Sequence, residues 1–217
     1  MRNRIVLLLV LLAAALTAAG AEIRVVDTRI LTQQDLPPVE RATHELSVHL
    51  YRFQKTRWTE AQIVSATMQV SQLLAPCAVA LAQAELRVLD TDRGFHFYWT
   101  PVSRELLRAL KPAKPAVFFV EDTRNRPAFD AEAIGRANAA TRPELADTIW
   151  VAYGARDLPY ALAHELVHVL TDSGEHSDQP GNLMRTETSP QNATLTAFQC
   201  ERLRTRGQAH GLLAPRP

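Results

Sequence analysis

The stretch AHELVHVLTDSGEHSDQPGNLM, residues 163–184, is the part of the sequence that decides the fold. His164 and His168 are four residues apart, and a helix places residues at that spacing on one face. Apolar residues of the same segment recur at the spacing of a buried helical stripe: Leu162, Leu166, Val169 and Leu170. The pattern predicts an amphipathic helix that buries its apolar side and presents two imidazoles together.

Two imidazoles at this spacing can bind one Zn²⁺, at about 2.0–2.1 Å per bond. Glu165 is rotated one step around the helix, so it can reach a metal-bound water without being a ligand. A catalytic zinc site needs three protein ligands and one open position. Gly174 can adopt a positive φ, which would let the chain turn back and bring His176 to the metal as the third ligand.

The segment resembles the signature of the metzincin metalloproteases, which joins HExxH to a third His through a Gly and continues to a Met-turn. Met184 lies eight residues after His176, a spacing similar to the matrix-metalloprotease form of the family. Seven residues separate His168 from His176, two more than in the family pattern. The resemblance implies that the three histidines bind Zn²⁺, that Glu165 is the general base, and that Met184 forms an apolar floor beneath the ligands.

The longer spacing leaves other candidates for the third ligand. Three nearby carboxylates compete with His176: Asp172, Glu175 and Asp178. A downstream glutamate, Glu187 or Glu201, would instead indicate the other large group of zincins. His176 is favoured because imidazole suits zinc and because the Met184 spacing counts from it.

The rest of the sequence supplies a mixed set of elements. Period-two alternation, aromatic runs or continuous apolar runs predict strands at residues 23–30, 46–53, 79–89, 95–99, 116–120 and 148–153. Helical spacing and capping residues predict helices from Thr59 to before Pro76, from Ser103 to Leu110, from Asp157 to about Leu170, and from Thr194 to Arg206.

Two of these segments carry more specific expectations. The uninterrupted apolar run at 116–120 predicts a strand covered on both faces, and residues 122–145 read as a long connection. By analogy with the family, the strand at 148–153 would form the sheet edge to which an extended substrate adds. The resemblance implies an α+β fold: one zincin-like domain with a twisted mixed sheet, a long backing helix, an active-site helix and a C-terminal helix.

The N-terminus has the layout of a secretory signal peptide. Arg2 and Arg4 precede an apolar run at residues 5–19, and small residues follow up to Ala21. We expect cleavage after Ala21, which divides the chain into a signal peptide (1–21) and a metallopeptidase domain (22–217). An uncleaved anchor is the alternative. Cleavage predicts a secreted or periplasmic protein without stable membrane insertion.

Export favours a disulfide between Cys77 and Cys200, since two cysteines in an oxidising compartment usually pair. The bridge would close a loop of 123 residues, the difference between the two positions. Two buried free thiols are the alternative.

Composition excludes several classes of protein. Hydrophobic residues make up 47% and the formal charge is +1, so the chain is neither disordered nor a general nucleic-acid binder. The sequence therefore predicts an exported, monomeric zinc endopeptidase that acts on peptides or proteins. The alternatives are a zinc-binding assembly protein without turnover, and a zinc hydrolase that acts on another substrate, such as a cell-wall peptide.

Overall fold

A computed structural model of the chain describes residues 22–124, 133–136 and 142–216. The signal peptide predicted at residues 1–21 lies outside the described residues. The described part contains nine strands: β1 (Arg24–Thr32), β2 (His44–Phe53), β3 (Val79–Asp90), β4 (Phe97–Tyr98), β5 (Ala116–Val120), β6 (Asp122–Thr123), β7 (Ala133–Arg136), β8 (Thr148–Ala152) and β9 (Leu213–Pro215). It contains four α-helices: α1 (Glu60–Leu74), α2 (Thr100–Leu110), α3 (Leu158–Thr171) and α4 (Ala197–Ala209).

Seven strands form one mixed sheet in the order β1-β3-β2-β5-β8-β7, with β9 paired to β2. The four inner strands β3, β2, β5 and β8 are parallel to one another. The outer strands β1 and β7 and the short β9 are antiparallel to their neighbours. The α+β class and the mixed sheet are as the sequence predicts.

The sheet is covered by helices on both faces, as the apolar run in β5 predicts. Val117 and Phe119 point into a core shared with α1 and α3. Ala116, Phe118 and Val120 point into a second core on the α2 side. All five side chains are buried, because a central parallel strand has no solvent-facing side.

The prediction that the 148–153 strand is the sheet edge is wrong. β8 pairs with β5 on one side and with β7 on the other. β7 lies within the 122–145 stretch that the sequence predicts to be a long connection. Its four residues are too few to give a period-two pattern, and the sequence on either side of them is polar. Among the described strands, β7 is the outer one at this end of the sheet.

Helices α1 and α3 begin directly after the predicted capping residues Thr59 and Asp157, whereas α4 begins at Ala197, three residues after the predicted start at Thr194. α1 and α4 share a Thr-x-x-Gln capping box, built by Thr59 with Gln62 and by Thr196 with Gln199. α2 differs, because it begins after Trp99 and not at Ser103. The Ser103 hydroxyl lies inside the first turn, where it accepts a hydrogen bond from the Trp99 amide at 3.3 Å.

A disulfide joins Cys77 to Cys200. Cys77 lies in the 3₁₀ turn that follows α1, and Cys200 lies in the first half of α4. The bridge therefore ties the C-terminal helix to the end of the helix that backs the sheet. The described helices include none with the length and hydrophobicity required to cross a bilayer.

Removing the disulfide should destabilise the fold. Closing a loop of 123 residues restricts the unfolded chain by about 4–5 kcal/mol in the chain-entropy model. We expect the Cys77→Ala/Cys200→Ala double variant to lose about that much free energy of unfolding in urea denaturation. Reduced wild type should show a similar loss, and an unchanged midpoint in both would contradict the assignment.

Gly207 lies where α4 packs closely against neighbouring side chains. A Cβ at this position would lie 2.8 Å from the Leu213 Cγ atom and 3.5 Å from the Leu170 Cδ2 atom. Crowding of this kind costs about 1–3 kcal/mol, more than the gain of about 1 kcal/mol when alanine replaces glycine in a helix. We expect Gly207→Ala to lower the free energy of unfolding by about 1 kcal/mol. The matched Gly94→Ala variant, with open space at its Cβ, should not be destabilised, and equal effects would contradict the packing argument.

Candidate metal centre

Helix α3 brings the first two histidines together. Its buried residues pack into the core beneath the sheet, which fixes the rotation of the helix about its axis. His164 and His168 consequently lie on one face, and their Nε2 atoms are 2.9 Å apart. Both residues are buried, with 4% and 8% of their surfaces exposed.

The chain turns back at the end of α3, but not at the residue that the sequence suggests. Asp172, and not Gly174, takes the left-handed conformation, with φ of 47°. Asp tolerates this region better than most residues because its short polar side chain can hydrogen-bond locally. The Asp172 amide donates to the His168 and Val169 carbonyls, and the following residues run back toward the face that carries the histidines.

The returning loop places His176 beside the first two rings. Its Nε2 atom lies 3.3 Å from the Nε2 atoms of both His164 and His168. Zn–N bonds of the usual length at tetrahedral angles would place ligand nitrogens about 3.3 Å apart. His176 is exposed, whereas His164 and His168 are buried, so the cluster lies at the boundary between the core and the surface.

Backbone carbonyls fix the orientation of the two buried rings. His164 Nδ1 donates to the Leu183 carbonyl at 2.8 Å, and His168 Nδ1 donates to the Ser173 carbonyl at 2.6 Å. A carbonyl oxygen can only accept, so each Nδ1 carries the proton. The lone pair of each Nε2 is thereby left for a metal ion, the arrangement expected for imidazole ligands.

Burial keeps these imidazoles neutral. Desolvation lowers the pKa of His168 to about 4, with the neighbouring His164 adding to the effect. Desolvation also lowers the pKa of His164. Neutral imidazole is the form that binds metal ions, so in the absence of metal the two rings are already in the binding form at neutral pH.

The converging group contains the three histidines and none of the competing carboxylates. Among the described residues, His164, His168 and His176 form the group whose ligand atoms lie within 4.8 Å of one another. Glu175 instead forms an ion pair with Arg202 on α4. Glu165 follows His164 on α3 and is half-buried.

Met184 lies in the turn that supports this group. It is 3% exposed, and its carbonyl accepts a hydrogen bond from the Ser177 amide at 2.8 Å. The amide of Met184 donates to Asn182 Oδ1 at 2.9 Å. The turn at 182–184 therefore contacts the His176 loop through its backbone and α3 through the Leu183 carbonyl.

Sequence reasoning missed the residues that hold this turn. Asn182 is 1% exposed and exchanges hydrogen bonds with Gln199 of α4. The Thr-x-x-Gln pattern at 196–199 could have indicated the cap of α4. Nothing in the sequence links that cap to Asn182, because the contact depends on how α4 packs against the turn.

Comparison with known proteins identifies similarity at the level of the fold. No protein-family model and no curated protein matches the chain. Among solved structures, the crystal structure of metalloproteinase-II from Bacteroides fragilis matches with a TM-score of 0.52 and 19% sequence identity. The match covers 80% of this chain and 56% of that chain. The likeness shows a shared fold, and the chain spans little more than half the length of that protein.

Metal binding at this centre should depend on His176. We expect His176→Ala to lose most of the Zn²⁺ that the wild type retains after equilibrium dialysis, because two ligands hold the ion far more weakly than three. His210→Ala, which removes an exposed histidine from the end of α4, should bind as wild type does. Equal zinc content in both variants would exclude His176 as a ligand.

Proposed function

We propose that this chain is a zinc-dependent endopeptidase that hydrolyses peptide bonds. The observation that carries the proposal is the convergence of three imidazole Nε2 atoms within 3.3 Å of one another. The fold shared with a metalloproteinase structure supports it. Three neutral nitrogen donors suit Zn²⁺ better than the hard cations, which prefer oxygen.

Three protein ligands are the donor set of a catalytic zinc site, since structural sites are usually closed by a fourth ligand. A zinc ion held here would supply Lewis acidity, which polarises a carbonyl and lowers the pKa of water at the open position. The chain supplies the orientation of the ligands, through the two carbonyls that accept from His164 and His168.

Glu165 is the residue to which we assign the proton transfers. It follows His164 on α3, and its carboxylate is outside the converging group, so we do not assign it as a metal ligand. We propose that it accepts a proton from the attacking water and delivers that proton to the leaving amine. Met184, which is buried in the turn that follows His176, would serve as the apolar floor of the site.

The substrate would be an extended segment of peptide or protein. β7 lies beside α3 and has β8 on one side only among the described strands. An extended peptide could add to its other side by main-chain hydrogen bonds. This edge replaces the one that the sequence suggests at 148–153.

We propose that the protein is exported, with residues 1–21 as a cleaved signal peptide and residues 22–217 as the metallopeptidase domain. The Cys77–Cys200 disulfide supports this assignment, because disulfides persist in oxidising compartments. The protein would then be secreted or periplasmic, and would act as a monomer.

Glu165→Gln should separate metal binding from catalysis. We expect the variant to keep its zinc and to lose casein cleavage by about 10²–10⁴-fold, the usual contribution of a general base. The control is Glu187→Gln, an exposed carboxylate that should leave both properties unchanged. Zinc content is measured by elemental analysis, and cleavage is measured with and without chelator.

The other outcomes identify the alternatives. Full cleavage by Glu165→Gln would contradict the role assigned to that residue. Stoichiometric zinc in wild type without cleavage of casein would indicate a binding or assembly protein. Zinc-dependent cleavage of a cell-wall peptide, with casein left intact, would indicate a hydrolase with a different substrate.

A further inference from the structure

A reciprocal pair of side-chain amides connects helix α4 to the turn beneath the histidines. Asn182 Nδ2 donates to Gln199 Oε1 at 2.8 Å, and Gln199 Nε2 donates to Asn182 Oδ1 at 3.2 Å. Asn182 is 1% exposed. Buried amides are costly unless satisfied, so the two residues hold each other in one orientation.

The amide pair fixes the peptide that orients His164. Asn182 Oδ1 also accepts from the Met184 amide at 2.9 Å, and the Leu183 amide donates to the Thr194 carbonyl at 2.7 Å. The Leu183 carbonyl, which lies between these contacts, accepts a hydrogen bond from His164 Nδ1. A shift of Asn182 would therefore turn the carbonyl away from the imidazole.

Gln199 is itself held at a defined place. Its Oε1 accepts from the Thr196 amide at 2.8 Å as part of the α4 capping box. The next residue, Cys200, is linked to Cys77 by the disulfide. The first turn of α4 is thus anchored both to its own cap and to the end of α1.

The same helix also contacts the loop of the third histidine. Arg202 lies three residues after Gln199, on the same face of α4, and it forms an ion pair with Glu175. Glu175 directly precedes His176 in the chain. The remaining ring, His168, donates to the Ser173 carbonyl, and no side chain of α4 takes part in that hydrogen bond.

We propose that α4 positions two of the three imidazoles. Gln199 acts on His164 through Asn182 and the Leu183 carbonyl, and Arg202 acts on His176 through Glu175. Both are positioning residues, and neither contacts the metal. The inference rests on the proposed zinc function, because it concerns the orientation of the same ligands.

The test makes the same substitution in the Thr-x-x-Gln capping boxes of α4 and α1. Gln199→Met removes the side-chain bond to the Thr196 amide and the amide pair with Asn182. Gln62→Met removes the equivalent bond to the Thr59 amide at the start of α1. Each purified variant is titrated with Zn²⁺ against a chromophoric chelator, well below its melting temperature. The imidazole Nδ1–H signals of the metal-free proteins are recorded by NMR.

We expect Gln199→Met to weaken zinc binding by about tenfold, the size of loss that follows when a group that orients a metal-binding histidine is removed. Its His164 Nδ1–H signal should shift or exchange faster, whereas the His168 signal stays in place. Gln62→Met should bind zinc as wild type does. Gln199→Glu still caps the helix and accepts from Asn182, so it should lose less affinity than Gln199→Met and keeps the test valid if that variant fails to fold.

Arg202→Gln should weaken zinc binding by about fivefold at most, since an exposed ion pair contributes little, and should leave the His164 signal unchanged. Equal zinc affinity in wild type, both Gln199 variants and Gln62→Met would overturn the inference while leaving the proposed function intact. Wild type that binds no zinc would instead overturn the proposed function.

Discussion

Two hydrogen bonds from imidazole Nδ1–H groups to backbone carbonyls determine where the Nε2 atoms of His164 and His168 point. Each ring can rotate about two side-chain bonds, and a carbonyl acceptor on one nitrogen fixes the direction of the other. The Leu183 carbonyl does this for His164 and the Ser173 carbonyl for His168. One acceptor belongs to the turn that follows the site in sequence, and the other belongs to the loop that ends α3. The geometry of the cluster therefore depends on the conformation of two loops, and these loops must be held rigidly.

The sheet and helices supply that rigidity. α3 packs against α1 and α4 and lies over the core beneath the sheet. Burial of α3 also desolvates the rings, which lowers the pKa of His164 and His168. Protonation of a buried imidazole is unfavourable, because the protein interior solvates a positive charge poorly. The same packing that stabilises the helix thus prepares the two residues to bind a metal ion.

The sequence is most informative where one local rule decides the structure. The spacing of His164 and His168 on an apolar stripe is sufficient to place both rings on one face of α3, and the apolar run 116–120 is sufficient to predict a central strand. Sequence reasoning fails where several local solutions are possible. Gly174 is the obvious residue for a left-handed turn, yet the helix ends at Asp172 with φ of 47°, because an Asp can adopt that conformation as well. The edge strand β7 lacks a local signal, since its partner β8 determines its position.

The residues that hold the cluster together lie far apart in the chain, and long-range packing explains why. Asn182 and Gln199 are separated by 17 residues, and each satisfies the buried polar atoms of the other. The Asn182 amide could not be buried alone at reasonable cost, and Gln199 reaches it only when α4 is docked against the turn. The disulfide to Cys77 favours docking, because it limits the positions that α4 can take relative to the end of α1. A motif of about twenty residues thus carries the three histidines, but the turn that contacts His164 is hydrogen-bonded to a helix that the motif does not include.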